Sequence, residues 1–166
     1  MGHCINAIIL KGAYDPELAK TYDLFGIDLG FDLTFFHISY QYAVYWQYKL
    51  GIKGELQTPP KNMHLLFPTE MVLAELAKRI SKNTEVQFAL IETDYFGGIG
   101  DQFASVYTNA TLVSNEWHTI NQVLKHLGVT RKDGLDEFDT VGLYRIRSKP
   151  DELFEDYSDF LEEHNL

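Results

Sequence analysis

Two apolar segments, residues 86–93 and 102–113, flank a short connection in which three of four consecutive residues are glycine. This arrangement predicts an antiparallel β-hairpin, because glycine adopts the backbone angles that a chain reversal needs. A hairpin is only marginally stable by itself in water, so it has to pack against further strands or helices. The rest of the chain must therefore supply those elements.

The segments around the hairpin predict one strand and several helices. Residues 4–10 are short, apolar and rich in Ile, which indicates a buried first strand. A capping box formed by Thr119 and Gln122 opens one of the helices. Helices are predicted over about 15–26, 68–80, 119–127 and 150–163. This order of elements predicts a single α/β (α+β) domain over residues 1–166, with a mixed sheet, a central hairpin and three or four packed helices.

Two segments leave a choice between strand and another structure. From 38 to 50 every second residue is apolar or aromatic, which favours a long strand from Leu33. A helix through Tyr42, Tyr45 and Trp46 is the alternative, because that strand would be unusually long. Residues 140–147 are predicted to form a further strand at a sheet edge, and the Pro- and Gly-containing segment 51–62 is predicted to be a loop.

The charge of the chain is concentrated at one end. Residues 133–166 contain eleven acids and three bases, and so carry eight of the ten net negative charges. Binding a phosphate backbone or an anionic membrane requires clustered Lys and Arg, so neither nucleic acid nor membrane is expected as a partner. A basic protein is a better candidate partner, although acids also simply keep a small domain in solution.

The cysteine content indicates the compartment. Cys4 is the only cysteine, so no internal disulfide can form and a reducing cytoplasm is the expected location. We expect Cys4 to be a buried structural thiol, since His3 beside it in a strand points to the opposite face.

The glycine-rich segment 92–102 is the strongest candidate site. It contains three carboxylates, Glu92, Asp94 and Asp101. Two of them are predicted to form a general acid/base pair, or alternatively the three supply oxygen ligands for Mg²⁺ or Ca²⁺. The sequence leaves metal binding open. The segment matches no nucleotide-binding fingerprint, and no cofactor is expected. The candidate binding residues of this segment are Tyr95, Phe96, Gly97, Gly98, Gly100 and Gln102. The alternative is a wide hairpin loop from which Tyr95 and Phe96 fold back onto the core.

Two further groups of residues are candidates for function. His37 and His64 lie beside apolar segments, and His37 is a candidate helper for the carboxylates, although a satisfied polar group at a strand end is the simpler role for both histidines. Trp46 belongs to an aromatic segment, residues 40–48, of the composition that dominates protein interfaces, although filling a core is the simpler role for it.

Segments 92–102 (ETDYFGGIGDQ) and 136–143 (DEFDTVGL), joined by the helix that begins after Thr119, resemble a family of small uncharacterised bacterial proteins. The resemblance covers roughly the second half of the chain. It implies a bacterial cytoplasmic origin and that the glycine-rich segment is a family feature. It implies no activity and no catalytic residue.

Three hypotheses for function follow. The first is a protein-binding role of the immunity or inhibitor type, in which the acidic last helix, with Glu155 and Asp159, recognises a basic partner. The second is a small hydrolase or acid/base enzyme that uses Glu92, Asp94 and Asp101. The third is a homo-oligomeric structural protein that associates through the aromatic segment.

Overall fold

A computed structural model describes residues 2–60 and 68–166 of the chain. Six strands and six α-helices lie in these residues. The strands are β1 (His3–Lys11), β2 (Ile27–Gly30), β3 (Leu33–His37), β4 (Gln87–Phe96), β5 (Ile99–Thr108) and β6 (Thr111–Leu112). The helices are α1 (Pro16–Thr21), α2 (Tyr40–Leu50), α3 (Val72–Ile80), α4 (Ile120–His126), α5 (Glu137–Thr140) and α6 (Glu155–Glu163). A 3₁₀ turn, Leu143–Arg145, follows α5.

The strands form one sheet in the order β2-β3-β1-β4-β5-β6. The predicted α+β fold class is confirmed, and so are the first strand and the central hairpin, which is β4–β5. The predicted mixed sheet is in fact antiparallel in every ladder. Three of its pairs, β2–β3, β4–β5 and β5–β6, are consecutive strands joined by short connections, which make the two strands antiparallel.

Helices cover both faces of the sheet, because side chains alternate along each strand. Ile8 and Leu10 of β1 belong to a core cluster that also contains buried residues of α2 and α3. Ala7 and Ile9 belong to a second cluster, closed by α4. We call these two sides the α2–α3 face and the α4 face. Among the described residues, no helix combines the length and apolar composition needed to cross a bilayer.

The hairpin turn is tight. Gly97 and Gly98 have φ angles of 62° and 80°, and the flanking Phe96 and Ile99 are paired across the ladder. Two consecutive positive φ angles are typical of a two-residue type I′ turn, which suits the twist of a hairpin. The wide loop considered above is therefore wrong, and Glu92, Asp94, Asp101 and Gln102 are strand residues.

The segment after β3 is a helix rather than a continuing strand. The Ser39 side chain accepts a hydrogen bond from the Tyr42 backbone N–H at 3.0 Å, and Gly51 ends the helix with a φ of 64°. These two caps favour a helix despite the alternation of apolar residues over 38–50. The alternation arises because aromatic residues occupy most sides of α2. The favoured strand over 40–50 is wrong, and the alternative helix is confirmed.

The strand predicted over 140–147 is also wrong. The Asp136 side chain caps α5 by accepting from the Asp139 backbone N–H at 2.8 Å, and Gly142, with a φ of 78°, turns the chain into the 3₁₀ turn. This segment packs against the sheet through the buried Val141 and Leu143, and its last residue is bonded to a strand backbone, where the Cys4 N–H donates to the Arg147 carbonyl at 2.8 Å.

Helix boundaries differ from the prediction more than helix positions do. The capping box of α4 is present, with Gly128 just beyond the C-cap Leu127. The first helix ends at Thr21 rather than near Gly26, and α3 begins at Val72 rather than Pro68. The last helix begins at Glu155 without a side-chain cap, several residues after its predicted start. The part of the predicted 51–62 loop beyond residue 60 lies outside the described residues.

Candidate functional site: an acidic surface around the hairpin and the last helix

The hairpin register brings the predicted carboxylates to one face. Asp94 lies directly opposite Asp101 of β5, and Cys4 of β1 lies opposite Asp94 on its other side. Directly opposed residues have Cβ atoms about 5 Å apart. Glu92 shares this side by alternation, which is the α2–α3 face because Leu90 belongs to that core cluster.

Asp94 and Asp101 form an uncompensated pair of like charges. Both are exposed, and neither takes part in an ion pair with another described residue. Like charges directly opposite one another on a sheet are destabilising. The hairpin therefore keeps an arrangement that folding alone disfavours.

We expect Asp101→Asn to raise the free energy of unfolding by about 0.2–1 kcal/mol, because it removes one charge of this pair. Urea unfolding at low salt measures the effect. High salt screens the repulsion between the two aspartates and should shrink the difference between the variant and the parent chain. Glu85→Gln, at an exposed residue outside the pair, is the matched control. A destabilised Asp101→Asn variant would show that the pair is not repulsive.

Cys4 is exposed, so the expected buried structural thiol is wrong. The strand continues past the helices that cover its middle, which leaves this end of β1 open. Partial burial raises the pKa of the Cys4 thiol, and the charges of Asp94 and Glu92 add to the effect. A thiol held protonated is a poor nucleophile, so Cys4 is not activated for covalent catalysis.

His37 does not join the carboxylates. It lies on the α4 face, where its ring packs edge-on against Phe35 with centroids 4.8 Å apart. Burial lowers the pKa of His37 to about 4, and the nearby Lys149 charge contributes. His37 is therefore neutral near pH 7 and sits across the sheet from Glu92. The other histidine candidate, His64, lies outside the described residues.

The described residues do not assemble a metal site. No group of three His, Cys, Asp or Glu side chains within residues 2–60 and 68–166 is placed to hold a metal ion. A surface cavity of about 750 Å³ lies on the α4 face, with Lys125, Arg131 and Glu137 in its lining. It does not include any of the three predicted carboxylates.

Tyr95 and Gln102 have a structural task on the α4 face. The Gln102 side-chain oxygen accepts from the Ile120 backbone N–H at 2.9 Å, and its amide nitrogen donates to the Tyr95 hydroxyl at 3.3 Å. Gln102 thus satisfies an N–H group in the first turn of α4. This pairing depends on how α4 docks onto β5, and no pattern in the sequence reports it.

Phe96 does not fold back onto the core. It is 81% exposed, and its cross-strand partner Ile99 is 82% exposed. Ile99 lies within the predicted candidate segment 92–102 but was not among its predicted binding residues. A two-residue turn at Gly97 and Gly98 would have indicated it, because such a turn pairs residue 96 with residue 99. We call residues 96–99 the hairpin tip.

Helix α6 is held down by aromatic side chains. Tyr157 is buried, and its ring stacks on that of Tyr45 with centroids 4.4 Å apart. The Tyr157 hydroxyl donates to the Asp23 carboxylate and accepts from the Trp46 indole N–H at 3.1 Å. Trp46 is therefore engaged beneath α6, which explains why an aromatic segment stands in α2.

The carboxylates of α6 point outward. We define the acidic helix face as the exposed side chains of Glu155, Asp156, Asp159, Glu162 and Glu163. None of them forms an ion pair with another described residue. The nearby lysines are occupied differently. Lys149 donates to the Leu153 carbonyl at 2.9 Å, and the Lys49 ammonium lies 5.2 Å from the Phe160 ring centroid.

The acidic helix face and the acidic end of the hairpin lie on connected parts of the molecule. Cys4 forms an isolated β-bridge with Ser148, which belongs to the segment leading to α6. Ser148 and Asp94 therefore lie on opposite sides of β1. Because neighbouring strands are about 4.8 Å apart, Ser148 and Asp94 are separated by roughly 10 Å. Tyr157 packs into the α2–α3 core, so α6 lies on the face that also carries Asp94 and Asp101.

Comparison with protein-family models, with curated proteins and with solved structures finds no match to this chain.

Proposed function

We propose that this protein binds a basic protein partner, in the manner of an immunity or inhibitor protein. The observation that carries the proposal is the acidic helix face, whose five carboxylates are exposed and unpaired among the described residues. Exposed carboxylates that have no ion-pair partner among the described residues attract a cationic surface and accelerate its association.

The position of these acids within α6 supports the proposal. Glu162 and Glu163 occupy the last turn, which contains no basic residue. The negative end of the helix dipole lies there, so two acids disfavour the helix by a few tenths of a kcal/mol each or more. A role in solution behaviour alone could be met by acids at the other end of the helix, where they stabilise it.

The partner is sought by affinity capture of the tagged chain from cells of its own species, with elution by a salt gradient. We expect a stoichiometric basic protein to elute. Its association rate, measured with the two purified proteins, should fall steeply as ionic strength rises, because salt screens exposed charges beyond about 10 Å at 0.1 M. An association rate that ignores ionic strength would contradict the proposal.

A charge-reversal pair tests whether the helix face, rather than overall charge, is recognised. We expect Glu162→Lys with Glu163→Lys to slow association about tenfold or more at low salt. The matched control is Glu85→Lys with Glu116→Lys, which changes two exposed acids outside α6 and yields the same net charge. Equal slowing by both variants would show that only net charge matters.

A further inference from the structure

The hairpin tip is an exposed apolar feature on a rigid support. Phe96 and Ile99 are 81% and 82% exposed, and they are direct cross-strand neighbours on the α2–α3 face. Single exposed apolar residues are common on protein surfaces, but two large ones side by side at the end of a projecting hairpin form a patch. Their pairing across the β4–β5 ladder holds the two side chains next to each other, so little order has to be gained on binding.

Negative charge lies next to this patch along both strands of the hairpin. Asp94 and Asp101 lie on the same face as Phe96 and Ile99, two residues away from them on each strand in the direction away from the turn. The hairpin end, residues 92–102, contains three acids and no Lys or Arg. The surface therefore pairs an apolar end with an anionic base.

We infer that the hairpin tip inserts into an apolar pocket of a partner protein, with Asp94 and Asp101 meeting Lys or Arg residues at the rim of that pocket. Apolar anchors that fill a pocket, ringed by polar contacts, are the usual centre of a protein interface. The inference deepens the proposed function, on which it rests for the identity of the partner. The contact itself is a second one, separate from the acidic helix face.

The same charges argue against two other occupants. A second copy of this chain packed tip to tip would bring Asp94 and Asp101 against their own equivalents. An anionic membrane surface attracts Lys and Arg, which the hairpin end lacks, and repels its acids. A cationic pocket on another protein satisfies both the apolar pair and the carboxylates.

A photo-crosslinking amino acid, benzoylphenylalanine, placed at Phe96 of the full chain identifies the occupant in cells of the protein's own species. We expect one crosslinked protein, with the mapped attachment point at an apolar residue that has Lys or Arg neighbours. The same group at Phe25, which is 50% exposed and outside the hairpin, should not yield that product. A crosslink to lipid, to a second copy of the chain, or to nothing would overturn the inference.

Affinity for the crosslinked protein, measured with purified components, provides the second readout. We expect Phe96→Ser with Ile99→Ser to weaken binding about 10- to 100-fold, mainly through faster dissociation. Phe25→Ser with Ile27→Ser, also at exposed apolar positions, is the control that should leave affinity unchanged. Unchanged affinity of the tip variant would sink the inference.

The two proposals fail in distinguishable ways. If only the Glu162 and Glu163 reversals slow association, the partner is basic but the tip does not bind it. If the tip variant weakens binding while ionic strength has no effect, the apolar tip is a docking element, but the electrostatic function and the rim contacts of Asp94 and Asp101 are both wrong. Urea unfolding of the tip variant separates loss of contact from loss of fold, because Phe96 and Ile99 contribute little burial.

Discussion

Replacing Tyr157 by Ala is expected to lower the free energy of unfolding by about 3–5 kcal/mol, the cost of removing a large buried aromatic side chain. Tyr157 is only 6% exposed, and its ring contacts those of Tyr45 and Phe154. Its loss removes the main anchor of α6, so hydrogen exchange should show the amides of α6 losing protection before the sheet does. Urea unfolding measures the overall cost.

Tyr157→Phe separates the hydrogen bonds of this residue from its packing. It keeps the ring and removes the hydroxyl that donates to Asp23 and accepts from Trp46, so we expect a loss of about 1.5–3 kcal/mol. If Tyr157→Phe were as costly as Tyr157→Ala, the ring contacts would contribute little, contrary to the packing seen.

The same residue predicts how stability depends on pH. Desolvation raises the pKa of Tyr157 well above its ordinary value of 10.0, and Asp23 reinforces the shift. The folded chain then keeps a proton that the unfolded chain releases, so this contribution is complete below pH 10 and is lost as pH rises above it. Tyr157→Phe should show a smaller alkaline loss than the parent. Some loss should persist, because burial also raises the pKa of Tyr42.

The hairpin and α4 were predictable because local signals and tertiary packing agree there. The glycine pair defines the turn, and the two-residue turn in principle also defines which carboxylates face each other, since it places residue 94 opposite residue 101. The capping box of α4 is a local hydrogen-bond pattern that the fold leaves intact. In both places, neighbours in sequence contain the whole explanation.

Helix α2 was harder to predict because its aromatic residues pack against both the core of the sheet and helix α6. Tyr42 lies in the core and Tyr45 supports α6, while Tyr40 and Tyr48 are exposed, so no single apolar stripe marks the helix. The exposure of Cys4 was hidden for a related reason. Strand composition does not show where the covering helices end, and those ends depend on contacts between distant segments.

The proposed function depends on a feature that the sequence could not reveal, namely whether lysines of this chain pair with the acids of α6. The acids of α6 are visible in the sequence, but whether Lys49 or Lys149 neutralises them depends on where α6 docks. In the fold, Lys149 is bonded to a backbone carbonyl and Lys49 lies over an aromatic ring. Because neither lysine forms an ion pair with the acids of α6, these carboxylates remain available for a partner.

Gly100→Ala is expected to destabilise the chain by about 1–3 kcal/mol, as overpacking commonly does. A Cβ atom at this position would lie 1.9 Å from the Asp94 carbonyl oxygen and 2.7 Å from the Tyr95 Cα. Both contacts are with backbone, so β4 and β5 have to move apart locally. Faster hydrogen exchange of the amides of residues 94–101 should report that movement.

Gly98→Asn is the matched control for this change. Nothing lies within 4 Å of a Cβ at Gly98, and Asn tolerates its φ of 80° better than other side chains do. We expect near-parent stability and partner affinity for Gly98→Asn, and loss of both for Gly100→Ala, because the latter displaces Phe96 and Ile99 from their shared face. Parent-like affinity of a destabilised Gly100→Ala variant would mean that the geometry of the hairpin tip does not matter for binding.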